Sequence, residues 1–335
     1  MKKIIILFLI SIIFLSGCRE EEERKVYKTN TVPYYLYIFN DKIFAIGENR
    51  SGDLSWSVIE IHNDGFLELV VLKNPPQFPI LIKENLFIFG DNIGINLVNR
   101  QTFNLPCPEG VPSIVLMEND TLVAQFSQKI WFFQEDTSKA IAIPEDFSLI
   151  NINKEEMVFF DNKQTLYFTD RDFNIIREMG ILINRDEKNY ILTMNPREGF
   201  AISSQGLTNL YFYLTNQLTT ISINDGIKDI LSTPEGAVLI GKKVYLLDLQ
   251  GNYKSVYTPD NQYQYYGKSF DGETIKMLFA NSLLNKSFVL SISKDKKASI
   301  RYYKVKYTSL AHNQDMVVLG SETEIIQINN RIIIN

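Results

Sequence analysis

Short apolar runs separated by tight polar turns repeat along most of this chain. Gly236 to Pro259 shows the pattern most clearly, with Ala237–Ile240, a break at Gly241-Lys242-Lys243, Val244–Leu249, a break at Gln250-Gly251-Asn252, and then Tyr253–Tyr257. No run is long enough for a helix of ordinary length. Enrichment in β-branched and aromatic residues, with Gly, Asn and Lys at the breaks, predicts strands joined by hairpins.

From about Tyr34 onward the unit recurs with four runs. The residues opening the second run of each unit are Lys42, Asn85, Thr121, Glu156, Gly199, Gly236, Thr274 and Asp315, spaced 43, 36, 35, 43, 37, 38 and 41 residues apart. Four strands per unit at that spacing match the blades of a propeller, whereas helical solenoids carry apolar stripes of period 3.6. The predicted fold is therefore all-β, a β-propeller of about eight four-stranded blades, or seven if the terminal units share one sheet. Third runs such as Ile130-Trp131-Phe132-Phe133, Leu166-Tyr167-Phe168, Leu210-Tyr211-Phe212-Tyr213 and Val244-Tyr245-Leu246-Leu247 place an aromatic after an aliphatic residue. Large rings at that position fill the wedge between neighbouring blades, so Trp56 and Trp131 also read as packing residues.

Three connections between second and third runs are long: Glu48 to Ser55, Ser203 to Asn209 and Asn281 to Ser287. In a propeller they share a face with the segments that join one blade to the next, here including Lys73 to Pro79, Gly180 to Asn189 and Pro259 to Gly267. Long loops on a rigid scaffold are the usual seat of function. Phe78 in the first of these segments, and Tyr263, Tyr265 and Tyr266 in the last, are candidate partner-binding residues, because Tyr offers area and a hydrogen bond at low entropy cost. The alternative for the tyrosines is that some begin the innermost strand of the seventh blade. The closing apolar run Arg331–Asn335 must be paired, and it is assigned to the last blade, with the segment near Val26 to Val32 joining the same sheet.

Composition adds bounds. A chain that is 45% hydrophobic with 22 Phe and 17 Tyr has ample material for a core. The net charge of −5 becomes −7 once Lys2 and Lys3 leave with a leader, which argues against nucleic acid as a partner. Met1-Lys2-Lys3 followed by the apolar run Ile4 to Leu15 has the form of an export signal, too short to span a bilayer. It ends Leu15-Ser16-Gly17-Cys18, which resembles the lipobox of bacterial lipoproteins. The resemblance implies cleavage between Gly17 and Cys18 and acylation of Cys18, so that the lipid bilayer is one partner. The charged run Arg19 to Lys25 reads as a solvated tether. Arg19 after the acylated residue implies transfer to the outer membrane in a cell with two membranes. The domain plan is residues 1–17 as signal peptide, 18–32 as lipidated Cys and tether, and 33–335 as one propeller.

Candidate chemistry is sparse. With Cys18 acylated, Cys107 has no disulfide partner and reads as a small apolar side chain in a turn. Asp170-Arg171-Asp172-Phe173-Asn174 begins like a calcium loop, but Ile175 and Ile181 occupy positions where that loop needs Gly and Glu, so it reads as a turn. Ser51 to Trp56 resembles the Asp box of sialidase-type propellers only loosely. His62 and His312 read as solvated turn histidines without a third ligand. No catalytic, metal-binding or cofactor residues are assigned.

The unit Val238 to Gly251 resembles the repeat of quinoprotein-like propellers, a group that includes the lipoprotein propeller of the outer-membrane barrel-assembly machinery. The resemblance suggests a barrel-assembly role by analogy; the sparse chemistry, the rigid scaffold and the tether point to a lipid-anchored, noncatalytic propeller whose loop-rich face binds a protein partner in the bacterial envelope. The Trp docking motifs of true quinoproteins are missing, so no quinone cofactor is implied. The alternative is a ligand sensor or hydrolytic enzyme that uses the propeller funnel.

Overall fold

The computed structural model describes residues 24–50, 55–108, 110–118, 121–134, 137–161, 164–182, 190–192, 199–204, 207–213, 215–223, 225–233 and 235–329. Every regular element among them is a strand, and the strands form eight four-stranded sheets, the blades of a β-propeller. Gly17, Cys18, the rest of the leader and Arg331–Asn335 lie outside the described residues.

Two compact units are present. The first contains blade 1 (Thr31–Phe39, Lys42–Asn49, Ser55–His62, Gly65–Leu72), blade 7 (Gln264–Phe270, Thr274–Asn281, Lys286–Ser293, Ala298–Tyr303) and blade 8 (Ser309–His312, Met316–Gly320, Glu324–Asn329, Arg24–Lys28). The second contains blade 2 (Gln77–Ile82, Asn85–Phe89, Ile93–Asn96, Thr102–Asn104), blade 3 (Ile114–Glu118, Thr121–Phe126, Lys129–Gln134, Thr137–Ala142), blade 4 (Ser148–Ile152, Met157–Phe160, Thr165–Thr169, Ile175–Gly180), blade 5 (Tyr190–Leu192, Gly199–Ser204, Leu207–Phe212, Gln217–Ser222) and blade 6 (Asp229–Thr233, Gly236–Ile240, Val244–Asp248, Tyr253–Tyr257).

Six of the eight second strands open on the residue expected, and the other two open one residue later, at Met157 and Met316. The delay has a local cause. The Asn153 side chain accepts N–H bonds from Glu155 and Glu156, and Asn313 does the same for Asp315 and Met316, which holds those residues in an Asx turn. Asp170-Arg171-Asp172 is likewise a turn. The Asp170 carboxylate accepts from the N–H of Asp172 and of Asn174, and Asp248 accepts in the same way from Gln250 and Asn252 at the corresponding place in blade 6. Those bonds to Asn174 and Asp172 hold the Asp170 carboxyl below the usual carboxylate range.

Blade 8 is built from both ends of the chain. Arg24–Lys28 pairs antiparallel with Glu324–Asn329 over five residue pairs, from Arg24↔Ile328 to Lys28↔Glu324. The Tyr27 hydroxyl donates to Gln327 Oε1 at 2.8 Å. Residues 24–28 therefore belong to the last sheet, as expected for the segment near Val26 to Val32, whereas Thr31 and Val32 open blade 1. The strand keeps its charges wet by alternation: Arg24, Val26 and Lys28 are exposed, while Lys25 and Tyr27 are partly covered.

The core lies between sheets. Trp131, Tyr167, Tyr211 and Tyr245, the recurring third-strand aromatics, each pack into a separate cluster of aliphatic and aromatic residues. Each of the three tyrosines sends its hydroxyl out to a turn residue: Tyr167 donates to Asp161, Tyr211 to Asn216 and Tyr245 to Asp225. The ring gains burial while its polar end stays satisfied. Burial and the Asp225 carboxylate together push the Tyr245 hydroxyl up.

Buried amides join adjacent blades. Gln125 of blade 3 is 5% exposed, accepts the Leu149 N–H at 2.7 Å and donates to the Phe147 carbonyl at 3.1 Å. Asn151 of blade 4 donates to the Gly199 carbonyl of blade 5 at 2.6 Å. Gly199 and Gly236 open the second strands of blades 5 and 6, where a Cβ would lie 1.9 Å from the Tyr211 and Leu247 carbonyl oxygens respectively. Only Gly allows that approach.

Candidate functional site

Each blade has a turn end, where its first and second strands are joined, and a loop end, where its second and third strands are joined. The loop end of the first unit carries Leu283, the most exposed large hydrophobic side chain among the described residues. In blade 7, Thr274–Asn281 and Lys286–Ser293 pair up to Asn281↔Lys286, leaving Ser282–Asn285 as the tip. Asn281 is 1% exposed, and its Oδ1 accepts the N–H groups of Leu283 and Leu284, both at 3.0 Å. Asn285 takes φ +48°, which Asn tolerates better than most residues, and its side chain accepts from the Lys306 N–H at 3.3 Å. The tip is thus held by a buried amide while Leu283 is 91% and Leu284 51% exposed.

The neighbouring loop ends are also ordered. In blade 1 the Tyr34 ring lies 5.0 Å from Trp56, is half-exposed and points its hydroxyl at Glu48. Arg50 pairs with Glu322 of blade 8 at 3.1 Å. Residues 51–54, which hold most of the segment compared with the Asp box, lie outside the described residues. The Ser203–Asn209 connection is shorter than expected: Ser204 pairs with Leu207, so most of it is strand.

The four candidate partner residues have different settings. Phe78 is 41% exposed and sits at a bulge between Gln77 and Ile80 with φ +43°, an unusual backbone for a bulky side chain that turns it toward solvent. Tyr263 precedes blade 7 and donates its N–H to the Asp260 carbonyl at 2.9 Å. Tyr265 and Tyr266 are in the first strand of blade 7 and partly buried, with the Tyr265 ring 5.7 Å from Phe279 and Tyr266 packed on a cluster containing Leu278 and Tyr307. The structure therefore puts Tyr265 and Tyr266 into packing roles at the strand. Leu283 and Leu284 were not singled out by residue; their one sequence signal is a pair of leucines inside a long polar connection.

A polar cleft of about 620 Å³ opens at the turn end of the second unit, lined by Glu118, Glu156, Arg177, Tyr211, Tyr213 and Asn216 among others. Arg177 dominates it. Its guanidinium lies 3.8 Å from the Phe168 ring centroid and donates to Glu156 at 3.1 Å, Tyr211 at 2.7 Å and Asn216 at 2.6 Å. These partners come from blades 4 and 5, so Arg177 is an interblade clamp whose forked donors are already engaged. Burial nevertheless raises the Glu156 carboxyl above its usual range, against the pull of Arg177. A second pair, Arg171–Glu118 at 3.2 Å, flanks the cleft.

The histidines are not alike. His62 is at the end of a blade 1 strand, half-exposed, 3.5 Å from the buried Glu60 carboxylate that also pairs with Lys42 at 3.0 Å. His312 is no solvated turn residue. Its side chain is fully buried, with Nε2 3.0 Å from the Thr274 carbonyl and 3.4 Å from Asp271, and its backbone N–H donates to Ser269 Oγ. Burial pushes the imidazole pKa down from 6.5 to about 4, with Lys276 acting in the same direction and Asp271 opposing. Cys107 is half-buried beside the core shared by blades 2 and 3, and burial pushes its thiol up to about 11. Among the described residues no group of three His, Cys, Asp or Glu side chains is placed to hold a metal ion.

Neither a protein-family model nor a curated protein matches the sequence. Solved structures do match in fold. The Dos1 propeller shares 10% identity at a TM-score of 0.61, covering 92% of this chain and 95% of that one. BamB from Moraxella catarrhalis shares 9% identity at a TM-score of 0.56, covering 92% and 99%. A chain of a mitotic checkpoint complex shares 10% identity at a TM-score of 0.50, covering 93% and 96%. These likenesses establish the propeller alone. Function has to come from this chain's own surface.

Proposed function

We propose that this protein is a lipoprotein of the bacterial envelope, acylated at Cys18, whose propeller is a noncatalytic scaffold for a protein partner. The leader and Leu15-Ser16-Gly17-Cys18 support the anchor. The propeller itself is compatible with the scaffold role, since one structural neighbour comes from a mitotic checkpoint complex. The observation that carries the binding role is the blade 7 tip: two leucines kept in water by a buried Asn281 bracket rather than folded back onto the sheet. Covering them would give a partner roughly 3 kcal/mol without further ordering of the loop.

The test places a photo-crosslinking residue at position 283 in the cell-expressed lipoprotein, with a control at exposed Asp64. One partner captured in defined stoichiometry from position 283, absent from position 64 and lost in Leu284→Ser, supports the reading. Equal, diffuse capture from both positions refutes it. Replacing Cys18 by Ser should release the chain from membranes, and retention of that variant would refute the anchor.

A further inference from the structure

Blade 7 separates its charges by end. Its three carboxylates are all at the turn end, where Asp271 faces His312 at 3.4 Å, Glu273 pairs with Lys294 at 3.1 Å and Asp295 pairs with Lys297 at 3.8 Å. The loop end holds only cations. Residues 281–287 and 303–308 contain Lys286, Lys304 and Lys306 and no Asp or Glu. Lys286 pairs with Asn281 directly beneath the Leu283–Leu284 tip. Tyr303 pairs with Ser287, which carries Lys304 out at the level of Lys286. Lys306 donates its backbone N–H to Asn285 of the tip at 3.3 Å and holds its ammonium 5.7 Å from the centre of the Tyr266 ring.

Among the described residues, none of these three lysines has a carboxylate within ion-pair distance. Like charges side by side on neighbouring strands repel, and no local group offsets them here. In a chain whose net charge is −5, the result is a cationic collar beneath two leucines that stand in water. The patch stops at blade 7. At the loop ends of blades 8 and 1, Glu322 pairs with Arg50 while its side chain stays 62% exposed, and Glu48 accepts from the Tyr34 hydroxyl at 3.5 Å. A flat anionic bilayer laid over this end would meet those carboxylates as well. A protein groove the width of one blade would not.

Resting on the proposed protein partner of the tip, we infer that this partner is acidic: it receives Leu283 and Leu284 in an apolar groove whose rim presents Asp or Glu to Lys286, Lys304 and Lys306. The leucines supply affinity. The lysines select and orient, since rim charges act mainly on the rate of encounter and on the rejection of like-charged surfaces.

The experiment treats membranes of cells expressing the lipoprotein with a carbodiimide, which joins a lysine amine to a carboxylate in salt-bridge contact, and sequences the cross-linked peptides by mass spectrometry. Lys286, Lys304 or Lys306 should be joined to Asp or Glu of the same protein that position 283 captures by photo-crosslinking. Lys286→Glu, Lys304→Glu and Lys306→Glu together should lower capture from position 283 about tenfold, whereas Lys286→Arg, Lys304→Arg and Lys306→Arg together should leave it within about twofold. Raising salt from about 0.05 to about 0.5 M should lower capture by the unsubstituted collar several-fold, a readout that needs no variant to fold. Capture that is lost in Leu284→Ser but indifferent to salt and to charge reversal, or that yields no carbodiimide product at the three lysines, overturns the acidic partner and leaves the protein-binding tip standing. Recovery of phospholipid instead of protein on position 283, with phosphatidylglycerol vesicles binding the chain only while the lysines are present, overturns both.

Discussion

Replacing His312 by Gln should flatten the acid side of the stability profile. The native imidazole is held neutral in a buried site against the Thr274 carbonyl, with its pKa lowered from 6.5 to about 4. In the unfolded chain it protonates near its ordinary value, so the unfolded state takes up the proton first as pH falls. A depressed histidine gives stability that is complete above pH 6.5 and lost as pH drops toward 4. The loss is about 2 kcal/mol at pH 5 and about 3 kcal/mol near pH 4. The facing charges are Asp271 and Lys276. Burial pushes Asp271 up, but the N–H groups of Thr274 and Glu273 outweigh it and hold the carboxyl low, so Asp271 adds its own loss of stability only at the acid end. Because other groups such as Glu156 also titrate on the acid side, the difference between wild type and His312→Gln from pH 7 to 5 is what isolates His312. Gln keeps a donor for the Thr274 carbonyl and cannot take a proton. Urea unfolding followed by fluorescence of Trp56 and Trp131 should show the wild type losing about 2 kcal/mol between pH 7 and 5 and His312→Gln losing little. The chain has two histidines, so NMR titration of the ring signals checks the cause directly. Parallel unfolding profiles for the two proteins, or a His312 ring titrating near 6.5, would refute the reasoning.

Gly236→Ala drives a Cβ to 1.9 Å from the Leu247 carbonyl oxygen at φ +146°, and thermal unfolding should show a loss of at least about 2 kcal/mol. Gln125→Leu leaves the Leu149 N–H and the Phe147 carbonyl unpaired between blades 3 and 4, with an expected loss of about 2–4 kcal/mol in denaturant melts. Arg177→Met strands the partly buried Glu156 carboxylate. The loss, about 1–2 kcal/mol at pH 7 after allowance for solvent screening, should shrink on acidification as Glu156 takes a proton. Leu283→Ser with Leu284→Ser should leave stability within about 0.5 kcal/mol while abolishing capture of the partner.

What the sequence could reveal depended on whether the signal was periodic. Strand openings such as Lys42, Asn85 and Thr274 were legible because apolar runs and polar breaks alternate at short range. Hydropathy opens two second strands one residue early, at Glu156 and Asp315, because the Asx turns made by Asn153 and Asn313 leave no mark on it. Residues 24–28 carry two signals: the charges of Arg24 and Lys25 read as tether, while Val26 and its neighbours read as the strand that closes the last sheet, and an outer strand, with only one face covered, satisfies both. The burial of His312 was not legible at all, since it depends on Ser269, Asp271 and Thr274 of another blade. Gln125 was hidden for the same reason, as its partners are two turns of sheet away in sequence. The aromatics Tyr265 and Tyr266 fit either a recognition loop or the innermost strand of blade 7 by sequence, and their strand and the rings beside it give them the second place. Nothing in the sequence marks Leu283, because an exposed leucine is distinguished from a buried one only by what surrounds it.

The pairing of Arg24–Lys28 with Glu324–Asn329 also governs the order of assembly. Tyr27 is among the first described residues to be synthesised, yet its partner Gln327 follows 300 residues later. Contacts of such separation are slow to form, because the loop between them must be closed before they contribute. Until the final strands emerge, the opening strand has no sheet to join, and a chain cut short before Glu324 would leave both it and blade 8 as bare edges open to aggregation. Blade 8 is therefore left unfinished until Glu324–Asn329 has been made, some 300 residues after the strand that it pairs with.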